Sequence, residues 1–107
     1  MKRGAPASRN GSPRARYSFR LYVTGMTPRS QEAVHNLRAI CDEHLDGQHD
    51  LEIVDIYESP ERAGQDQVVA VPTLIKLKPA PVQRLIGNLS DRSHVLAALE
   101  LPPSAAR

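Results

Sequence analysis

The chain has 107 residues, 40% of them apolar, with 14 basic and 12 acidic side chains and one cysteine. That length supports one small domain around one core and leaves no room for a second, and no apolar run approaches the roughly 18 residues of a membrane span. The N-terminus lacks the apolar stretch of a signal peptide, and a lone Cys41 cannot form an internal disulfide, so the expected setting is the reducing cytoplasm.

The net charge of +2 is unevenly spread. Residues 1–16 hold Lys2, Arg3, Arg9, Arg14 and Arg16 with no acid, which leaves the remainder at −3. This extension is rich in Gly, Pro, Ser, Ala and Arg, cannot bury enough apolar surface to order itself, and is read as a disordered basic arm. Nucleic-acid binding by the arm is the less favoured reading.

Folded sequence starts at Tyr17. Phe19, Leu21 and Val23 alternate with Ser18, Arg20 and Tyr22, the two-residue period of a strand with one face more buried than the other. Thr27 and Pro28 then fit the N-cap and first position of a helix, Ala33, Val34, Leu37, Ile40, Cys41 and Leu45 follow at helical spacing, and Gly47 suits its end. A second strand is expected over Leu51 to Tyr57, and Ser59-Pro60-Glu61 repeats the cap signature ahead of a weak helix, Pro60 to about Val68, interrupted by Gly64.

Two apolar runs follow, Thr73 to Lys78 and Val82 to Ile86, separated by the stiff Pro79-Ala80-Pro81 loop. The first is entered through Val71-Pro72, an X-Pro bond that can take the cis form at little cost. Ser90 is the expected cap of a last helix with Val95, Leu96 and Leu99 on one face, stopped by Pro102-Pro103. The order is strand, helix, strand, helix, strand, strand, helix. This is an α/β chain of thioredoxin-like arrangement, with a domain over 17–101 and a short tail over 102–107.

Thiol-disulfide enzymes of that fold carry C-x-x-C at the start of the first long helix, where the helix dipole lowers the attacking thiol's pKa. Here the stretch reads Thr27-Pro28-Arg29-Ser30, and hydroxyls form no disulfide. Cys41 lies about four turns further on among apolar neighbours and is read as a core residue. His35, His44, His49 and His94 lack metal-ligand spacing and are read as surface or edge residues. Asp42, Glu43, Asp46 and Asp50 read as a solvated cluster, and no phosphate-binding loop is present. No catalytic, cofactor-binding or metal-binding residue is expected. A glutathione-binding enzyme of this fold, using Ser30 or Thr27 to hold the thiolate, is the alternative.

LYVTGMTPRS, the Val54-Asp55-Ile56 strand before a proline-led segment, VAVPTL, and the proline loop followed by LIGNLSDR resemble the KaiB family of circadian-clock proteins, nearly throughout from Tyr17 to Leu101. The resemblance implies a non-enzymatic regulator that binds the ATPase ring of a KaiC-type protein, recruits KaiA and displaces the SasA histidine kinase. It also implies two folds, a thioredoxin-like binding form and a KaiB ground state that assembles as a tetramer or dimer. The output is timing or stress adaptation.

Carried across by position, the partner-facing surface comprises Asp50, Glu52, Gln65, Asp66 and Gln67. Glu52 and Gln67 stand where the family carries lysines, which points to a diverged KaiC-type partner. The balance between the folds is carried to Tyr17, Pro72, Pro79, Pro81, Ala98 and Glu100. Ala98 and Glu100 replace a glycine and an aspartate, and an alanine there favours the helical, thioredoxin-like form by up to about 1 kcal/mol.

Overall fold

The structure, a computed structural model, describes residues 16–45 and 48–102. The elements in chain order are β1 (Tyr17–Val23), α1 (Pro28–His44), β2 (His49–Asp55), α2 (Pro60–Gln65), β3 (Thr73–Lys78), β4 (Gln83–Ile86) and α3 (Arg92–Ala98). They form one four-stranded sheet in the order β2-β1-β3-β4. β1 and β2 are parallel and are joined by α1, the crossover that a parallel pair needs, while β3 pairs antiparallel with both β1 and β4. This is the thioredoxin-like order expected from the sequence.

Alternation along β1 splits the core in two. Phe19, Leu21 and Val23 face α1 and α3, where they join Ala33, Leu37, Ile40, Cys41, Leu74, Val95 and Leu99 in the main cluster. Tyr22, on the other face, packs with Val54 and Ile75 beneath α2. Because β1 is a central strand, Tyr22 is as fully buried as Leu21, although the face it occupies holds the smaller cluster.

The start of α1 follows from its sequence. The Thr27 hydroxyl accepts from the Ser30 N–H at 3.3 Å and Pro28 takes the first helical position. At the other end the Leu45 N–H bonds to the Cys41 carbonyl; Asp46 and Gly47, the expected helix stop, lie outside the described residues.

Three boundaries differ from expectation. β2 begins at His49 and ends at Asp55, since pairing with all seven residues of β1 fixes its extent and Ile56 to Glu58 fold into a turn. Ser59 precedes α2 but its side chain makes no capping bond: at ψ 62° its backbone is not in the extended conformation that aims an N-cap hydroxyl at the first turn. α2 itself ends at Gln65, three residues early, because Gln67 turns into the left-handed region at φ 56°.

At α3 the cap is Asp91 rather than Ser90. Its carboxylate accepts from the His94 N–H at 3.1 Å and adds a negative charge where the helix dipole favours one. His44 also departs from expectation. It is buried in the last turn of α1, and its Nδ1 lies 3.0 Å from the Pro102 carbonyl, so Nδ1 carries the proton and ties Leu101-Pro102 over the helix end. At the other terminus, the Arg16 N–H bonds to the Gln48 carbonyl; residues 1–15 and 103–107 lie outside the described residues.

Among the described residues no helix is long and apolar enough to cross a membrane.

Candidate functional site

Two places could carry function, the turn between β1 and α1 and the face of the sheet covered by α2. At the turn, Gly25 takes a φ of +52°, and its N–H bonds to Asp55 Oδ1 at 3.3 Å. Tyr22, at the end of β1, pairs with Thr73, so Pro72, entered by a cis bond, sits at the same end of the sheet as this turn.

Both hydroxyls at the turn are already engaged. Ser30 is buried and its Oγ accepts from the Thr24 N–H at 2.9 Å, while Thr27 Oγ1 caps α1. Each hydroxyl oxygen accepts a backbone N–H here, and of the two only Thr27 is exposed. Cys41 is fully buried, and burial, helped by Asp42, pushes its thiol up to about 12, so it stays protonated and unreactive at neutral pH. Beside the turn a groove of about 500 Å³ runs between α1 and β2, with Val34 and Ile53 as apolar lining and His35, Arg38, Asp55 and Glu58 as polar lining. It contains no acid–base pair in hydrogen-bond contact. Among the described residues no group of three or more His, Cys, Asp or Glu is arranged to hold a metal.

The α2 face is richer. Asp50 and Glu52 lie two residues apart on β2 and therefore on the same side of the sheet as Arg20 and Tyr22. Arg20 and Glu52 are register partners on β1 and β2, and the Arg20 Nε donates to Glu52 Oε1 at 2.9 Å. Arg62 of α2 grips the same carboxylate as a fork, at 2.5 Å and 2.9 Å. Arg20 also reaches Asp66 at 3.0 Å. The Tyr22 hydroxyl lies 2.5 Å from Asp66 Oδ2 and 3.0 Å from the Arg62 carbonyl, with one proton to give between them. Arg84 of β4 donates to the Asp66 and Gln67 carbonyls at the end of α2.

These contacts set the local ionisation. The Arg62 fork, assisted by Arg20 and opposed by burial, holds the Glu52 carboxyl at about 2. Burial acts to raise the Asp66 carboxyl, but the bonds from Tyr22 and Arg20 together outweigh it and hold Asp66 below the ordinary carboxylate range. Burial, then the bond to Asp66, pushes the Tyr22 phenol up to about 12.

The five residues assigned to a partner surface thus fall on one side of the molecule, but unequally. Asp50 is largely buried, and Glu52 and Asp66 are neutralised by arginines of the same chain. Gln65 and Gln67 are exposed. Of the residues assigned to the balance of folds, Tyr17 stacks on Phe19 with ring centroids 6.4 Å apart, and Pro72 is buried. Pro79 and Pro81, both preceded by cis bonds, lie in an exposed loop. Ala98 closes α3, and Glu100, just past its cap, has a left-handed φ of 56°.

Arg20, Tyr22, Arg62 and Arg84 were not singled out by sequence. Only the parallel register, which places Arg20 opposite Glu52, could have signalled any of them.

The KaiB domain family model matches residues 20–101. The chain belongs to the KaiB family. It is 44% identical over 88 residues to the circadian clock protein KaiB3 of Synechocystis sp., covering 82% of this chain and 86% of that one. To the circadian clock oscillator protein KaiB of Prochlorococcus marinus it is 46% identical over 90 residues, covering 84% and 79%. Among solved structures, the N-terminal domain of Synechococcus elongatus SasA matches with a TM-score of 0.67 at 20% identity over 94% of each chain. Mitochondrial thioredoxin 3 of Saccharomyces cerevisiae matches at 0.65 and 16%, covering 81% and 80%. At these identities the structural matches establish the thioredoxin-like fold alone.

Proposed function

We propose that this chain is a non-catalytic regulatory module that docks on a KaiC-type ATPase ring and modulates its phosphorylation or signalling output. The KaiB family match over residues 20–101 carries the reading. Its support is a thioredoxin-like fold with hydroxyls, Thr27 and Ser30, where thiol enzymes carry cysteines, and with its cysteine, Cys41, in the core. The docking face is the side of α2 and β2 that carries Asp50, Glu52, Gln65, Asp66 and Gln67.

Since Glu52 and Asp66 are internally paired, this face is less charged than its composition suggests, and Gln65 and Gln67 are its open contacts. A partner built to meet lysines at positions 52 and 67 would be mismatched here, so the ring is a diverged KaiC-type protein. KaiA-like and SasA-type proteins are further partners on the same reading.

The test is size-exclusion chromatography with light scattering of the chain, alone and mixed with the KaiC-type ATPase of the same source, with ATP and over hours. Co-elution with the ring supports the proposal. Separate elution at every time point removes it.

A further inference from the structure

α2 is held in place in an unusual way. It has six residues, a glycine inside it, no side-chain cap and no buried residue. A helix so short has no stability of its own and must borrow it from contacts. Its apolar contacts are modest: Ala63 and the following Val68, both partly buried, pack against Tyr22, Val54 and Ile75.

The polar contacts are many and come from three strands. Glu52 of β2 takes both arms of Arg62. Arg20 of β1 bridges Glu52 to Asp66, and Tyr22 of β1 meets Asp66. Arg84 of β4 closes on the carbonyls that end the helix. Glu52 is the joint of this network. Without its charge, Arg62 would lose the carboxylate that both its arms grip and Arg20 would keep only Asp66, so two cations would face one another with one acid between them.

We infer that this network is an electrostatic latch, which holds α2 and the segment up to Val71 on the sheet and releases them as one unit, with the rest of the fold intact, when Glu52 is withdrawn. α1 and its apolar face on β1 make no use of it, since the main cluster lies on the opposite side of the sheet. The latch makes the position of α2 sensitive to ions and charged partners in a way that the main core is not. Opening it exposes the small apolar cluster of Tyr22, Val54 and Ile75.

The test is amide hydrogen exchange on the full chain and on its Glu52→Gln and Arg62→Met variants. The reporters are the hydrogen-bonded amides of Arg62, Ala63, Asp66, Gln67 and Val68. The latch predicts that these exchange at least about tenfold faster in either variant, with core amides such as Leu21 and Leu37 changed by less than about twofold. The double variant should resemble the single ones, because each breaks the same unit. In the unaltered chain, raising NaCl from about 0.05 M to about 1 M should accelerate the same amides selectively. Unchanged exchange at α2 in both variants overturns the inference. Acceleration of all amides together overturns it too, since the network would then be part of the global fold. If Glu52→Gln does not fold, Arg62→Met and the salt series decide the question alone.

Discussion

Replacing Tyr22 by Phe removes one oxygen from a fully buried ring and leaves the packing beneath α2 in place. The lost hydroxyl sits 2.5 Å from Asp66 Oδ2 and 3.0 Å from the Arg62 carbonyl. A hydrogen bond to a charged acceptor contributes about 1.5–3 kcal/mol, and Asp66 keeps its bond from Arg20, so the lower part of that range, about 1.5–2 kcal/mol, is expected. For a domain of this size that is a fall in Tm of roughly 6–15 °C. Urea denaturation followed by circular dichroism measures it, and a cycle with Asp66→Asn should return a coupling of about 1 kcal/mol or more. A Tyr22→Phe variant within about 0.5 kcal/mol of the parent, or a cycle with no coupling, would refute the reasoning.

Further outcomes follow from the same geometry. The Glu52 carboxyl is held at about 2 against an ordinary 4.5, so it contributes stability above pH 4.5 that is lost as the pH falls through 2. Screening at this partly exposed pair limits the loss to about 1–2 kcal/mol, and acid titration of stability should be flatter by that amount in Glu52→Gln; identical acid limbs would contradict the pairing. Cys41, buried and with its thiol pushed up to about 12, should react with a thiol-specific chromogenic reagent only as fast as the protein opens, and prompt stoichiometric labelling of the native chain would show otherwise. Glu100 sits exposed at a φ of 56°, where glycine is at ease, so Glu100→Gly should raise stability by about 0.5–1 kcal/mol in thermal melting despite losing the 3.3 Å contact with Gln83; a lower Tm would count against it.

The fold was legible because each signal was local. Thr27-Pro28 and the spacing from Ala33 to Leu45 determine α1, and the β-branched runs around Val54 and Ile75 determine strands whichever way they pair. The departures arose where distant contacts decide. β2 takes its ends from the register with β1, Ser59 loses its capping role to the turn after Asp55, and His44 is buried by a segment 58 residues away.

The site divides in the same way. That Thr27 and Ser30 cannot replace cysteines is plain from their chemistry. That Glu52 is not a free surface charge is invisible until Arg20 and Arg62, 32 and 10 residues away, are brought to it. Helix propensity bears on Ala98, which lies inside α3. Glu100 lies past the helix, where backbone conformation rather than propensity decides its effect.

Docking on a KaiC-type ring through the α2 and β2 face, as proposed above, is tested by the binding isotherm of that ring for the parent chain and for Gln65→Trp. Gln65 is exposed and outside the ion-pair network, so a bulky side chain there obstructs the face without loosening α2. Arg29→Trp, on the exposed first turn of α1, serves as the control. Tight binding by the parent and the control is expected, with an affinity at least about tenfold weaker for Gln65→Trp. Equal binding by all three chains, or a loss confined to Arg29→Trp, would contradict it.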